Sequence, residues 1–232
     1  MALARICNRR CLPGRKKFLS LPNEAKRTLD AHSNQDLKGY DALASQPYEG
    51  DVLPGLNGGC HTEDDLPADD SRVQTRRLLM KSNVWPDASL LPKDEPWGPA
   101  EEHRAALMKL SISVLKLIER TLPYESGIVD EVCANDTITP MRMVHYPPVR
   151  PQDQRKGKTQ YDASTHTDVS AITLLLQEQS PELEVLDFRT SEWKPVPPNP
   201  AVYVVNIGDM LSSWTKNEYK SGLHRAKVRE PA

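Results

Sequence analysis

Long hydrophobic runs and aromatic side chains are both scarce in this chain. Mean hydropathy is −0.59, and no uninterrupted apolar run approaches the ~20 residues of a membrane span, which excludes an integral membrane protein. Aromatic residues make up 6% of the chain, with only 2 Phe, whereas Pro occurs 20 times. This balance favours many turns and strand edges over a helical bundle.

Cysteines are also few, and they give little support for disulfides or zinc. They are Cys7, Cys11, Cys60 and Cys133. Basic residues interrupt the N-terminal segment where the apolar core of a signal peptide would stand, so we expect reduced thiols and a cytoplasmic protein. Cys7 and Cys11 could be combined with His32 or His61 into a zinc site, but their spacing fits no standard zinc finger.

Charge is nearly balanced overall, at −2, but it is uneven along the chain. Residues 1–27 carry eight Lys or Arg and one acid, whereas residues 28–70 carry ten acids and one Lys. The basic start could be a nucleic-acid arm or an organelle presequence, and a surface helix with an irregular start is the simpler interpretation. Because no basic segment with interleaved aromatics recurs, we expect no nucleic-acid partner.

The apolar pattern changes from helical to strand-like along the chain. Helices are predicted at 21–31 and 99–122, and short strands at 138–148, 171–178, 183–188 and 201–211, with proline-rich edges at 193–200. In the longer helix, apolar residues from Ala106 to Leu122 recur on or near one face. Residues 33–72 are polar and rich in Gly, Pro and Asp, so they are predicted to form an extended, loop-dominated stretch. This order favours a jelly roll or barrel backed by helices.

One pattern in the strand-rich half is typical of a metal site. His166 and Asp168 are separated by one residue, so in extended backbone they project to the same side, ~6–7 Å apart. A third ligand must come from another strand, and the only downstream His is His224. Two imidazoles and one carboxylate form the facial triad of non-haem Fe(II) oxygenases, which leaves positions open for a co-substrate and O2. Spacing alone leaves open a hydrogen-bonded His in a surface turn.

The order of motifs resembles a known family. The segments "HTDVSAITLLLQE", "LEVLDF", "WKPVPP", "VVNIGD" and "LHR" follow one another in the C-terminal half, and "LPNEAKR", "NVWPD" and "MRMVHYPP" precede them. Together they resemble the iron/2-oxoglutarate-dependent dioxygenases of the isopenicillin N synthase-like superfamily, over about residues 18–230. The resemblance implies a mainly β fold, a double-stranded β-helix (jelly roll) with flanking helices. It divides the chain into a divergent basic start (1–17), a helical and loop support region (18–137) and the jelly-roll core (138–232).

The same resemblance implies roles for individual residues. His166, Asp168 and His224 would bind Fe(II), with no catalytic residue beyond these metal ligands. Tyr146 would donate a hydrogen bond to the carboxylate of 2-oxoglutarate. Arg142 has the same face parity as Tyr146 on its strand, so it could reach a bound anion, and a solvated Arg at a strand edge is the alternative.

The implied activity is the oxidation of a small-molecule substrate by O2 with conversion of 2-oxoglutarate to succinate and CO2. Hydroxylation, desaturation and ring closure are all compatible with it. No nucleic acid, membrane or obligate protein partner is expected. A zinc hydrolase that uses the same triad is a further alternative, but no general base is evident beside the ligands.

One departure from the family pattern concerns the co-substrate. The family carries an Arg-x-Ser pair on the strand after the distal His, whereas this sequence ends at Ala232, so we expect that C-terminal strand and the opening strand to be missing. Arg229 lies five residues after His224, which points it to the opposite face of a continuous strand. We therefore expect weak 2-oxoglutarate turnover with retained metal binding, and a truncated or non-catalytic metal-binding relative is the alternative function.

Overall fold

The computed structural model describes residues 14, 16–33, 37–42, 52–53, 58–75, 80–92, 97–123, 127–134, 137–146, 159–177 and 181–228. The chain divides into two compact units, unit 1 (Met1–Ala42 and Gly58–His145) and unit 2 (Leu43–Asn57 and Tyr146–Ala232). The boundary predicted between residues 137 and 138 is a division by sequence pattern and stays a prediction.

The described elements include both helices and short strands. The helices are α1 (Asn23–Arg27), α2 (Ser71–Gln74), α3 (Trp97–Glu119), α4 (Ile128–Cys133) and α5 (Asp209–Trp214), with a 3-10 turn at Ala31–Ser33. The strands are β1 (Gly39–Asp41), β2 (Val52–Leu53), β3 (Gly58–Thr62), β4 (Met141–His145), β5 (Thr159–His166), β6 (Ile172–Leu176), β7 (Leu183–Asp187), β8 (Glu192–Pro195), β9 (Tyr203–Ile207) and β10 (His224–Lys227).

An aromatic cluster forms the core of unit 1. Phe18 and Trp97 are each only 1% exposed, and their ring centroids lie 5.2 Å apart in an edge-to-face arrangement. Trp85 lies 4.7 Å from Trp97 on another side. Tyr40 on β1 and Met143 on β4 belong to the same cluster, so the antiparallel sheet β1-β3-β4 packs on it through its strands.

The long helix α3 is buried at its start and exposed towards its end. Trp97, Ala100 and His103 are buried, whereas the residues predicted to share one face, from Ala106 to Leu122, are at most half-buried. Leu117 is 60% exposed. The helix is anchored through its first turns. None of the helices in the described part of the chain has the length and apolarity needed to cross a lipid bilayer.

A buried carboxylate joins the three strands of the unit 1 sheet. The side chain of Asp41 is 4% exposed, and its Oδ2 lies 2.6 Å from Nη2 of Arg142 and 3.5 Å from Nε2 of His61. Its Oδ1 lies 3.3 Å from Nε2 of His32. His61 and Arg142 are cross-strand partners on β3 and β4. The guanidinium of Arg142 is thus bound to an internal carboxylate, and its predicted contact with a bound anion stays a prediction.

Replacing Asp41 by alanine is expected to destabilise unit 1. The substitution removes the acceptor of a charged hydrogen bond inside the sheet, so the free energy of unfolding should fall by about 2–3 kcal/mol. Urea denaturation followed by circular dichroism measures this change. The control is Asp130→Ala, because the Asp130 carboxylate is 67% exposed and pairs with Lys116 at the surface. That variant should lose less than about 1 kcal/mol. Equal losses in the two variants would contradict a structural role for Asp41.

The described residues of unit 2 form two separate sheets. One has the strand order β2-β5-β10-β7-β8, in which β2 and β5 pair in parallel and the other neighbours are antiparallel. The other sheet is the antiparallel pair β6-β9, built from β-branched and aliphatic residues that suit a half-buried strand. Within the larger sheet, His224 pairs with His166 on one side and with Val185 on the other. This register brings two distant histidines together.

Two of the local predictions differ from the structure in detail. Residues 33–72 were predicted to be an extended, loop-dominated stretch, and their described part contains the short strands β1, β2 and β3 and the start of α2. The sequence did not predict β3 itself, because Gly58 and Gly59 carry no apolar pattern and the strand pairs with the distant β4. A Cβ at Gly59 would lie 2.8 Å from the Met143 carbonyl oxygen, so close backbone approach requires the glycine. The helix predicted at 21–31 is also shorter than expected, at Asn23–Arg27.

The two cysteines among the described residues are free thiols. Cys60 is buried in the unit 1 core, and burial raises the pKa of its thiol to about 12, so it stays protonated and unreactive at neutral pH. Cys133 is partly exposed at the end of α4. Cys7 and Cys11, considered above for zinc, lie outside the described residues.

Candidate metal centre

Three side chains of unit 2 converge on one point. His166 ends β5, Asp168 lies in the loop that follows, and His224 begins β10. The Nε2 atoms of His166 and His224 lie 3.8 and 3.7 Å from Oδ1 of Asp168, and the three ligand atoms all lie within 4.8 Å of one another. Two atoms that bind one ion at ~2.1 Å can be at most ~4.2 Å apart, so each His–Asp pair is close enough to share a metal.

Both imidazoles are oriented by their own backbone. Nδ1 of His166 lies 2.6 Å from the carbonyl oxygen of Ser164, and Nδ1 of His224 lies 2.9 Å from that of Gly222. A carbonyl oxygen only accepts, so each Nδ1 donates its hydrogen and each neutral ring keeps its lone pair on Nε2. A hydrogen bond at the distal nitrogen is the usual way in which metal-binding histidines are held in place.

The carboxylate of Asp168 is bound through its second oxygen. Nδ2 of Asn206 donates to Oδ2 at 2.7 Å, and the hydroxyl of Thr173 also donates to this side chain. Burial by itself would raise the pKa of Asp168, but these hydrogen bonds and the two imidazoles outweigh burial, so the pKa lies below its ordinary value. The group is therefore an anion at neutral pH, with Oδ1 facing His166 and His224.

The loop that carries Asp168 is tied to the start of α5. The backbone N–H of Asp209 donates to the Asp168 carbonyl oxygen at 2.7 Å, and that of Met210 donates to Val169 at 3.3 Å. Gly208 permits this approach, because a Cβ there would lie 1.9 Å from the Ser170 carbonyl oxygen. The Gly-Asp turn after β9 thus places the ligand loop.

The strand that carries His224 is anchored at the next residue. Arg225 donates from Nε to Oε2 of Glu184 at 2.9 Å, and its guanidinium lies 3.9 Å from the ring centroid of Trp193. Glu184, which is 7% exposed, also binds Lys227 at 2.6 Å. A buried carboxylate with two cationic partners resists displacement. These contacts hold β10 against β7 and β8, and His224 with it.

The donor set fits iron(II). Two neutral imidazoles and one carboxylate are the ligands of non-haem Fe(II) oxygenases, and a three-residue set leaves other coordination positions for a co-substrate and O2. His166 is 44% exposed and Asp168 is 22% exposed, so solvent reaches the site. In the part of the chain that the structure describes, this is the only group of three His, Cys, Asp or Glu side chains with such spacing.

The family comparison decides the class of the domain. A family model described as the 2OG-Fe(II) oxygenase superfamily matches residues 138–231, the segment that holds all three side chains. Residues 138–231 are a 2OG-Fe(II) oxygenase domain. The predicted resemblance to iron/2-oxoglutarate-dependent dioxygenases is confirmed, and the family's description contains both predicted cofactors, Fe(II) and 2-oxoglutarate.

Curated fungal relatives extend the similarity beyond the oxygenase domain. The 2-oxoglutarate-dependent dioxygenase citB of Monascus ruber is 46% identical over 209 residues, which cover 90% of this chain and 62% of citB. Clavatol oxidase claD of Penicillium crustosum is 38% identical over 218 residues, covering 90% of this chain and 64% of claD. The chain thus spans less than two thirds of the length of these relatives.

Solved structures share the fold. A Caulobacter crescentus protein assigned to the 2OG-Fe(II) oxygenase family is 29% identical, with a TM-score of 0.76 over 98% of this chain and 68% of that chain. A full-length Neurospora crassa protein, crystallised with α-ketoglutarate and thymine, gives 0.75 at 22% identity, covering 97% and 67%. The predicted mainly β jelly-roll fold with flanking helices is confirmed.

The other predicted site residues are not members of the group formed by His166, Asp168 and His224. Tyr146 directly follows β4, is half-buried and lies in unit 2 with the triad, while Arg142 lies in unit 1. Their contacts with 2-oxoglutarate stay predictions. Arg229, considered as a substitute for the family's Arg, lies outside the described residues.

Sequence reasoning missed the two residues that hold Asp168. Thr173 and Asn206 are cross-strand partners on β6 and β9, and both side chains point at the carboxylate. Each is a polar residue in an otherwise apolar strand. That polar interruption was the available signal for a functional position in the oxygenase domain.

Proposed function

We propose that the protein is a non-haem iron enzyme that oxidises a small molecule with O2 and 2-oxoglutarate. His166, Asp168 and His224 would hold the Fe(II), which together with 2-oxoglutarate and O2 supplies oxidative chemistry that side chains lack. The convergence of two imidazoles and one carboxylate within 4.8 Å carries this proposal. The identity of the fungal relatives as 2-oxoglutarate-dependent dioxygenases supports it.

The charges of the three ligands support an anionic co-substrate. Asp168 is the single anion among them, because both imidazoles are neutral when their Nε2 atoms bind metal. A dication held by these residues therefore keeps a net positive charge, which favours binding of a carboxylate such as that of 2-oxoglutarate. Tyr146 would donate a hydrogen bond to this carboxylate, while Arg142 would reach a bound anion only by sharing its guanidinium with Asp41.

A small organic molecule is the proposed substrate class. Clavatol oxidase claD is named for the molecule it oxidises, and the side chains of His166 and Asp168 are partly exposed, so a dissolved molecule can reach the triad. Hydroxylation, desaturation and ring closure are the reaction classes that such a site supports. A cytoplasmic location and the absence of nucleic-acid, membrane and obligate protein partners stay predictions from the sequence.

The test measures succinate released from 2-oxoglutarate by the purified chain under air. We expect release that depends on added Fe(II), stops on chelation and is lost in His224→Ala. The matched control is His32→Ala, a partly exposed histidine of unit 1 that should leave succinate release unchanged.

Three other outcomes contradict the proposal. Bound Fe(II) without succinate at saturating 2-oxoglutarate favours the non-catalytic metal-binding relative. Bound Zn(II) that Fe(II) cannot replace favours the zinc hydrolase. If the protein binds no metal at all, the proposal and the two alternatives, the non-catalytic metal-binding relative and the zinc hydrolase, are all wrong.

A further inference from the structure

An asparagine side chain lies between the ligand carboxylate and the strand of the distal histidine. Asn206 is half-buried on β9, and its Nδ2 lies 2.7 Å from Oδ2 of Asp168. A carboxylate only accepts hydrogen bonds, so the amide nitrogen must face Asp168 and the amide oxygen must face away from it. The orientation of the amide is therefore defined by its partner.

The amide oxygen packs against a glycine. A Cβ added to Gly222 would lie 2.8 Å from Oδ1 of Asn206, whereas its next neighbour, Cγ2 of Val185, would lie at an ordinary 3.9 Å. No positive φ requires glycine at this position. Position 222 therefore requires glycine because the Asn206 side chain occupies the space that a Cβ would need.

Gly222 also contacts the distal histidine. Its carbonyl oxygen accepts the hydrogen from Nδ1 of His224 at 2.9 Å, and its N–H donates to the carbonyl oxygen of Ile207 at 3.2 Å, next to Asn206. One glycine therefore touches the amide that orients Asp168 and fixes the ring of His224. The positions of the two ligands are linked through it.

We propose that Asn206, packed against Gly222, is a positioning residue that makes Asp168 a monodentate ligand. The amide occupies Oδ2, so Oδ1 alone is directed to the point that His166 and His224 share. Without this hydrogen bond, Oδ2 loses its partner at 2.7 Å, and Thr173 is the remaining side-chain hydrogen-bond donor to the carboxylate. The carboxylate can then turn and bind with both oxygens, which takes up one more coordination position. The inference deepens the proposed function and rests on the metal site described there.

The experiment titrates the purified full chain with Co(II), whose visible absorption changes in intensity with coordination number. We expect Asn206→Leu to bind Co(II) about 10- to 100-fold more weakly than the wild type and to give an altered spectrum. Circular dichroism and the melting temperature of the metal-free protein should stay unchanged, which separates a positioning role from a merely structural one. If Asn206→Leu does not fold, Asn206→Ser is judged by the same criteria.

A double-mutant cycle tests the link through Gly222. Gly222→Ala alone should weaken Co(II) binding about as much as Asn206→Leu, because the new methyl displaces the amide. In an Asn206→Ala background the new methyl group meets no amide oxygen. Gly222→Ala should therefore weaken Co(II) binding by less than about twofold in that background.

The outcomes separate this inference from the proposed function. Wild-type protein that does not bind Co(II), or binds it equally well without His224, overturns the metal site and the inference with it. If the wild type binds Co(II) and Asn206→Leu binds it with the same affinity and the same spectrum, only the positioning role is overturned. Equal costs of Gly222→Ala in the two backgrounds overturn the link between Asn206 and Gly222.

Discussion

Replacement of Asp168 by alanine should weaken Fe(II) binding by more than about 100-fold. Loss of a residue that only hydrogen-bonds a metal ligand weakens metal binding by about 10- to 100-fold, and loss of a ligand itself should weaken it more. The carboxylate is the single anion of the triad, and its Oδ1 lies 3.8 and 3.7 Å from the two Nε2 atoms. Without it, two neutral imidazoles remain to hold a dication. Anaerobic Fe(II) titration, read as bound iron after gel filtration, measures the change.

The control for this variant is Asp187→Ala. Asp187 ends β7 in the same sheet, and its Oδ1 accepts the backbone N–H of Arg189 rather than facing the triad. Its removal should leave the Fe(II) dissociation constant within about twofold of the wild type, since it is not a ligand. Unchanged iron affinity in Asp168→Ala would mean that the three converging side chains are not the metal site.

A methyl group at Gly208 should damage both the fold of unit 2 and metal binding. In Gly208→Ala, the new Cβ would lie 1.9 Å from the Ser170 carbonyl oxygen and 2.8 Å from that of Asp168. Both neighbours are backbone atoms, so the loop that carries Asp168 must move. We expect the free energy of unfolding to fall by about 3 kcal/mol, at the upper end for an overpacked site, with loss of Fe(II) binding. Urea denaturation and iron titration measure the two effects.

Gly98→Ala is the matched control. Gly98 lies in α3, and nothing lies within 4 Å of the position that its Cβ would occupy. Alanine favours a helix over glycine by up to ~1 kcal/mol, so this variant should be as stable as the wild type or more stable. If Gly208→Ala equals Gly98→Ala in stability and in Fe(II) affinity, the loop that carries Asp168 can accommodate a Cβ at position 208, and the prediction is wrong.

The convergence of the three side chains agrees with the sequence prediction, which rested on strand parity together with the family resemblance. His166 and Asp168 share a side of the chain by strand parity, and His224 is the only histidine downstream. The strand predictions at 171–178, 183–188 and 201–211 each contain an observed strand, since apolar β-branched runs are strong local signals.

Residues whose partners are distant could not be predicted in the same way. Arg142 finds Asp41 at a separation of 101 residues, and β3 pairs with β4 across most of unit 1. No periodicity within a short window contains such information. Asn206 belongs to the same class, because its role depends on a carboxylate 38 residues earlier and a glycine on another segment.

Two of the four tryptophans lie in each compact unit, so each unit contains intrinsic fluorophores. Trp85 and Trp97 lie together in unit 1, where Trp97 is shielded from water. In unit 2, Trp214 is 46% exposed and Trp193 lies against the Arg225 guanidinium, beside the strand of His224. Because Trp97 is 1% exposed and Trp214 is 46% exposed, we expect Trp97 to emit at a shorter wavelength than Trp214. Trp193 is a chromophore next to the strand that begins at His224, so its emission should respond to changes at that strand.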